Sequence, residues 1–336
     1  MKKRKDGYYT VTKTINGKRV FFYGVTRMEA LKKAEEREQK EEEGYTFEEA
    51  AEDWKEHHFP TLVWNTQKQY KPAMRRAVDE FGEDLITDIT PADISGYING
   101  FAIGDRSDKV VRTQLMVINL IFKHAINSLG VNISNPARDI TVPKHLKKQK
   151  VTSPSSKDIK AVKTNIEAPF GLFPYMILYT GLRKGELLAL TWEDINLKQR
   201  TITVNKSIYH RYNVPYLKEP KTVKGIRTIP IPDKLLPHLK PKKKGLIFRN
   251  DHGTYITAKE YQTLWRNYQK ASGVTCTAHQ LRHCYATMLY ENNVKEKTAQ
   301  ALLGHAQLST TMDIYTDIRA SYIKEASEEL YKMDIK

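Results

Sequence analysis

The sequence predicts a multidomain α+β chain: a small N-terminal sheet with one helix, an all-helical bundle, and a mixed, mainly helical domain carrying a small β-sheet. Three observations predict it. At 336 residues the chain exceeds one ordinary domain, so two or three compact units are expected and the largest can bury a sizeable core. Hydrophobic periodicity changes twice, from alternation near the start to helical spacing through the middle and a mixture after about residue 157. Composition shifts at the same places, with the acidic run Glu41-Glu42-Glu43 before Gly44 and a Lys/Ser/Pro stretch from Lys144 to Ser156.

Residues 7 to about 23 alternate like strands around the turn Asn16-Gly17, with Tyr9, Val11, Val20 and Phe22 as the apolar members. A charged helix follows from about Arg27 to Glu43, and the acidic run at its end reads as a linker. From residue 46 to about 143 the spacing is helical. Thr46-x-x-Glu49 and Thr66-x-x-Gln69 fit capping boxes, and Thr90-Pro91 sets a cap before a proline at the first helical position. Trp54, Tyr70, Phe81, Tyr97 and Phe101 recur as a core face rather than a base-stacking set. Lys144, Lys147, Lys148 and Lys150 then form a basic tether, and from Lys157 onward helices alternate with a strand-rich insert at about 201–231. The resulting domains are 1–43, 46–145 and 152–336.

A formal charge of +16 and a pI near 9.5 point to a polyanionic partner, through phosphate neutralisation and counterion release. Within the first 27 residues eight Lys or Arg stand against the single acid Asp6, so Lys2, Lys3, Arg4, Lys5, Lys18 and Arg19 are candidate nucleic-acid contacts, as are Lys144, Lys147 and Lys148 in the tether. A membrane surface is the competing polyanion. No stretch approaches about 18 uninterrupted apolar residues, and Met1-Lys2-Lys3-Arg4-Lys5 is followed by no apolar signal-peptide core. With only Cys276 and Cys284 a disulfide framework is excluded, which fits reduced thiols in the cytoplasm.

The chemistry concentrates after residue 180. In Thr180-Gly181-Leu182-Arg183-Lys184-Gly185-Glu186, an apolar helix over Phe173–Tyr179 ends near Gly181, and Arg183 opens the next helix with Glu186 in its first turn. Taken alone, that pair reads as a surface salt bridge. In His279-Gln280-Leu281-Arg282 one helical face carries an imidazole and a guanidinium that can reach one phosphate. Cys276, His279, His283 and Cys284 invite a zinc reading, but successive residues turn by about 100° on a helix, so four ligands packed this closely cannot converge on one tetrahedral ion. His283 is expected as a buried, hydrogen-bonded helix histidine. Leu302-Leu303-Gly304-His305 follows, then Tyr315 ten residues after that histidine; upstream, Pro220-Lys221-Thr222 sets Lys221 near a hairpin tip.

This order of Arg, Lys, His-x-x-Arg, Leu-Gly-His and Tyr resembles the catalytic domain of the tyrosine recombinase and phage integrase family, from about Thr152 to Tyr315. The two upstream segments resemble the family's arm-binding domain, a three-stranded sheet with a helix, and its helical core-binding domain. Departures are small: Gln280 where Asp is usual, Cys284 where Thr is frequent, Asp317 where His often follows the tyrosine. The resemblance implies a site-specific DNA recombinase that needs neither cofactor nor metal nor ATP, acting through a 3′-phosphotyrosine link and a Holliday junction. It implies Arg183, Lys221, His279, Arg282, His305 and Tyr315 as catalytic residues with Glu186 in support. On that resemblance Tyr315 would be the nucleophile, His279 the base and Lys221 the acid. Its partners would be double-stranded DNA at core and arm attachment sites, three further copies in a homotetramer, and an excision factor or host DNA-bending protein, with no membrane. The rival readings are a non-catalytic DNA-binding regulator with the same fold and a type IB topoisomerase-like enzyme. Past Tyr315, the stripe Ile323, Ala326 and Leu330 suits docking on a neighbouring subunit or on the chain's own core.

Overall fold

A computed structural model describes residues 6–15, 18–147, 153–219, 226–239 and 244–316. The chain divides into two compact units, residues 1–150 and 151–336. Among the described residues no helix is long and apolar enough to cross a membrane.

In the first unit, β1 (Tyr9–Ile15) and β2 (Lys18–Gly24) pair antiparallel with Val11 opposite Phe22. Among the described residues this sheet has two strands, where the family resemblance implies three. Ala30 and Ala34 of α1 (Arg27–Glu43) bury against Val11, small residues that let the helix lie close to the sheet. The helix continues to Glu43, so the acidic run ends a helix rather than forming a linker; Gly44, at φ +81°, makes the break.

The bundle follows as α2 (Phe47–His58), α3 (Trp64–Phe81), α4 (Pro91–Ala102) and α5 (Asp108–Asn127). Thr46 with Glu49, and Thr90 with Asp93, close reciprocal capping boxes. The box expected at Thr66 does not form. Helix α3 is capped three residues earlier, at Val63, and Gln69 instead donates to Thr113 Oγ1 of α5 at 3.1 Å. The core is Phe47, Trp54, Phe81, Ile118, Ile121 and Phe122, with Tyr70, Tyr97 and Phe101 half-buried at its margin. A fully buried amide crosses it: Gln114 donates to the Ala73 carbonyl at 2.9 Å and accepts from Arg76 Nε at 3.0 Å. Val142 and Leu146 join this core, and Lys147 pairs with Asp105 at 3.2 Å. The part of the basic tether up to Lys147 therefore belongs to the bundle.

The second unit begins with α6 (Ser156–Thr164), capped by Ser155. Asp158 of that cap is buried. It also accepts from Thr275 N at 2.6 Å and Cys276 N at 3.3 Å, which ties α6 to the segment leading into α10 (Ala278–Glu291). Burial alone would raise its carboxyl pKa, but the hydrogen bonds from Ser155, Thr275 and Cys276 outweigh it and hold the group at about 2. Helix α7 (Leu172–Thr180) is apolar on every side and central, packed against α10. Gly181 ends it in the left-handed region at φ +63°, and a Cβ there would stand 2.2 Å from the Tyr285 ring, so only glycine lets α7 and α10 approach this closely. Helix α8 (Lys184–Ala189) is followed by an antiparallel sheet of β3 (Ile195–Asn196), β4 (Thr201–Val204) and β7 (Arg227–Pro230), in the order β3-β4-β7. Between β4 and β7 lies the separate hairpin of β5 (Ser207–Arg211) and β6 (Val214–Lys218). Helices α9 (Ala258–Ser272), α10, α11 (Glu296–Leu303) and α12 over 308–316 follow among the described residues.

Phe173 is buried at the centre of this core, its ring 4.6 Å from Phe170 and 4.9 Å from Phe248. Phe173→Ala is expected to cost about 3–5 kcal/mol. In urea titrations it should lower the unfolding midpoint of the second unit at unchanged slope.

Candidate active site

The carbonyls at the end of α11 lack intrahelical partners, as at any helix C-terminus, because no further turn follows Leu303. Gly304 reverses the chain at φ +65°, and three consecutive carbonyls face neighbouring side chains. Each takes one arginine. Leu302 O accepts from Arg227 Nε at 2.9 Å, Leu303 O from Arg282 Nη2 at 2.6 Å, and Gly304 O from Arg183 Nη2 at 2.6 Å. Arg282 also donates to Gly181 O at the end of α7, so one buried guanidinium joins two helix C-termini, where the backbone dipoles favour positive charge. A Cβ at 304 would lie 2.7 Å from the Arg227 guanidinium, so glycine there is both a turn and a clearance.

Glu186 gathers the outer two arginines. Its Oε1 accepts from Arg183 Nη1 at 2.8 Å and Arg227 Nη1 at 2.9 Å; its Oε2 accepts from Arg227 Nη2 at 2.7 Å and the Arg183 backbone N–H at 2.8 Å. Burial opposes ionisation, but the Arg227 hydrogen bonds, then the charges of Arg227 and Arg183, outweigh it and hold the carboxyl at about 2. The pair expected as a surface salt bridge is thus largely buried on the glutamate side and shared with a third residue. Three guanidiniums against one carboxylate leave a local charge of 3 − 1 = +2. Among the described residues no carboxylate pairs with Arg282, and it uses two of its five N–H groups on carbonyls.

His279 and His305 border this cluster. Burial, then the charges of Arg282 and Arg183, lower the proton affinity of both, His305 to about 4, so both rings are neutral near pH 7. His305 Nδ1 lies 2.9 Å from the buried Thr311 Oγ1 of α12. His279 Nε2 meets His283 Nε2 at 3.2 Å, and the rings stand edge to face. His283 is only half-buried, because α10 turns this edge outward, which corrects the expectation of a buried histidine. Gln280 closes the capping box of α10 with Thr277, a role an aspartate would also fill. Cys276 and Cys284 are buried thiols that burial pushes up to about 12 and about 11, protonated and inert.

Tyr315 lies in α12, buried with Tyr285, Ala286, Leu289, Ala299 and Leu303. Its ring meets Tyr290 edge-on at 5.0 Å, and its hydroxyl donates to the Val294 carbonyl at 3.4 Å. Burial, then the charge of Glu296, raises its pKa. Of the sequence-expected set, Arg183, Glu186, Arg282, His279 and His305 come together, and Tyr315 packs on the adjoining cluster. Lys221 lies outside the described residues, as do Lys2, Lys3, Arg4, Lys5, Lys148 and the Lys18 side chain. Arg19 and Lys144 are exposed in the first unit.

Sequence reasoning missed Arg227. Its signal was strand alternation: two residues before the core residue Ile229, an arginine falls on the buried face of β7. It also missed Asp158, whose signal was the spacing Ser155-x-x-Asp158.

Residues 151–321 match the sequence profile of the phage integrase family, and residues 46–102 that of the phage integrase N-terminal SAM-like domain. The chain belongs to the phage integrase family. This integrase-family chain is 28% identical over 280 residues to a tyrosine recombinase XerC-like protein of Caldanaerobacter subterraneus, covering 73% of this chain and 71% of the relative. It is 32% identical over 235 residues to the tyrosine recombinase XerA of Pyrococcus furiosus, covering 66% and 74%. In fold it is similar to the Tn1549 transposon integrase in complex with transposon right end DNA, with a TM-score of 0.69 at 21% identity over 84% of this chain and all of the other.

Glu186→Gln is expected to cost about 3 kcal/mol near neutral pH, because it leaves Arg227 buried without its counter-charge. A carboxyl held at about 2 against an ordinary 4.5 contributes stability that is fully present above pH 4.5 and lost as pH falls toward 2. Asp158 contributes in the same direction between 3.8 and about 2. Acid unfolding followed by circular dichroism should therefore show a shallower slope in that window for Glu186→Gln than for wild type.

Proposed function

We propose that this chain is a site-specific recombinase that cuts and rejoins double-stranded DNA through Tyr315, integrating or excising a mobile element. The observation that carries the reading is the convergence of Arg183, Arg227 and Arg282 on the end of α11, beside two neutral histidines and with one carboxylate among them. Attack on a phosphodiester builds negative charge on its non-bridging oxygens, and fixed cationic donors lower that barrier most. Arg183 and Arg282 hold those oxygens. His305 adds a neutral donor: with the Thr311 hydroxyl donating to Nδ1, the ring carries its proton on Nε2. Glu186 and Arg227 keep the pair in place.

The Tyr315 phenol has an unperturbed pKa of about 10 and here lies higher, so it needs a base. His279, neutral at working pH, takes the proton as Tyr315 Oη bonds to phosphorus. The bond to the 5′ oxygen breaks, Lys221 protonates that oxygen, and a 3′-phosphotyrosine remains. A 5′ hydroxyl from a second duplex reverses the step without ATP. Before attack, the hydroxyl must leave the Val294 carbonyl. Strand exchange between two duplexes calls for four copies and a Holliday junction. Residues 1–43 are assigned to arm-site binding, 46–145 to core-site binding and 152–336 to catalysis, with Arg19, Lys144 and the neighbouring lysines on phosphates. An excision factor or host bending protein would set direction, and the place of action is the cytoplasm.

Tyr315→Phe removes only the hydroxyl, so fold and DNA affinity should survive. On a nicked suicide substrate carrying the chain's attachment site, wild type should accumulate a denaturation-resistant protein–DNA adduct, and Tyr315→Phe none. An adduct with the mutant would assign the nucleophile elsewhere; no adduct with wild type would favour a DNA-binding regulator. Lys221→Ala should stall on ordinary DNA yet recover most of its cleavage on a 5′-phosphorothiolate, whose sulfur leaves without a proton. Equal loss on both substrates would make Lys221 a binding residue.

A further inference from the structure

The bundle carries a second constellation of chemistry-bearing side chains, which the recombination reading does not use. Asp53 and His57 are four residues apart on α2, hence one above the other on one face, and His124 reaches them from the last turn of α5. Asp53 Oδ1 lies 2.6 Å from His124 Nε2 and 3.3 Å from His57 Nδ1. One nitrogen or oxygen from each of the three lies within 4.8 Å of the others. The two imidazoles are stacked with centroids 6.0 Å apart.

We infer that Asp53, His57 and His124 bind one divalent transition-metal ion, with zinc best suited, which cross-links α2 to α5. Two imidazoles and one carboxylate are borderline donors that suit zinc, cobalt or nickel, and not the all-oxygen sets that magnesium and calcium take. Bonds of about 2.0–2.1 Å in a tetrahedral arrangement put neighbouring ligand atoms about 3.3 Å apart. Asp53 and His57 already stand at 3.3 Å. The Asp53–His124 contact, at 2.6 Å, opens by about 0.7 Å when the ion replaces the proton they share. His57 Nδ1 also lies 2.9 Å from the Asp53 carbonyl, a hydrogen bond that the ion displaces when it takes the place of the Nδ1 proton. Glu52 and Glu56 line a shallow pocket with Asp53 and Lys55, which leaves the ion an acidic, solvent-reached approach and positions for water as the remaining ligands.

The test uses full-length protein freed of metal by a chelator and titrated with zinc chloride by calorimetry, with cobalt(II) as a spectroscopic stand-in. Wild type should bind one equivalent, gain a tetrahedral cobalt spectrum and melt at a higher temperature with zinc present. His57→Ala, at a side chain 64% exposed, should fold normally, bind at least tenfold more weakly and lose the zinc-dependent rise in melting temperature. Asp53→Asn should do the same. His58→Ala should bind as wild type, since that ring stacks on Trp54 and lies outside the cluster. Equal affinity for wild type and His57→Ala would overturn the site and place any bound zinc on other histidines. Failure of wild type to bind zinc would leave a hydrogen-bonded Asp53–His124 pair alone.

Discussion

Everything in the second unit's chemistry depends on three backbone carbonyls that have no helix left to bond to. Leu302, Leu303 and Gly304 end α11, and a buried carbonyl without a donor costs about as much as a lost hydrogen bond. Here the donors are guanidiniums from the N-cap of α8, from β7 and from α10. Each arginine is thereby anchored on backbone, and Arg183 and Arg227 on the Glu186 carboxylate as well. Folding the helix end and assembling the cation cluster are one event.

Placing carbonyls opposite arginines has an electrostatic result that carboxylates would not give. A carbonyl satisfies a guanidinium's hydrogens while leaving its full charge uncancelled. Arg282 is buried on two helix C-termini and keeps its charge for an anion; Glu186 cancels only part of the charge on Arg183 and Arg227. Burial first, and then the same field that would draw in a phosphate, lower the proton affinity of His279 and His305, so the cations that would attract an anion also help keep both rings neutral.

Much of this was legible in the residues. Gly181 as a helix stop, Arg183 at the next cap and His279 with Arg282 on one face follow from local rules, because caps and helical spacing act within a few residues. The capping pattern at Thr66 misled because Val63 caps α3 without a side-chain hydrogen bond, and tertiary packing claimed Gln69. Arg227 escaped because its partners Glu186 and Leu302 are 41 and 75 residues away, and no local pattern encodes a partner at that distance. The two groups of histidines divide likewise: His279 was visible from spacing, whereas Asp53 and His124 meet only once α2 and α5 pack.

Asp158 has a mechanical meaning. It belongs to the first turn of α6, just past the stretch where the chain passes into the second unit, and the same carboxylate grips the backbone of Thr275 and Cys276, immediately ahead of the helix bearing His279 and Arg282. A pull on the first turn of α6 therefore reaches the base of α10 through one buried carboxylate, so the helix that bears the imidazole and the guanidinium is braced at its start as well as along its flank on α7.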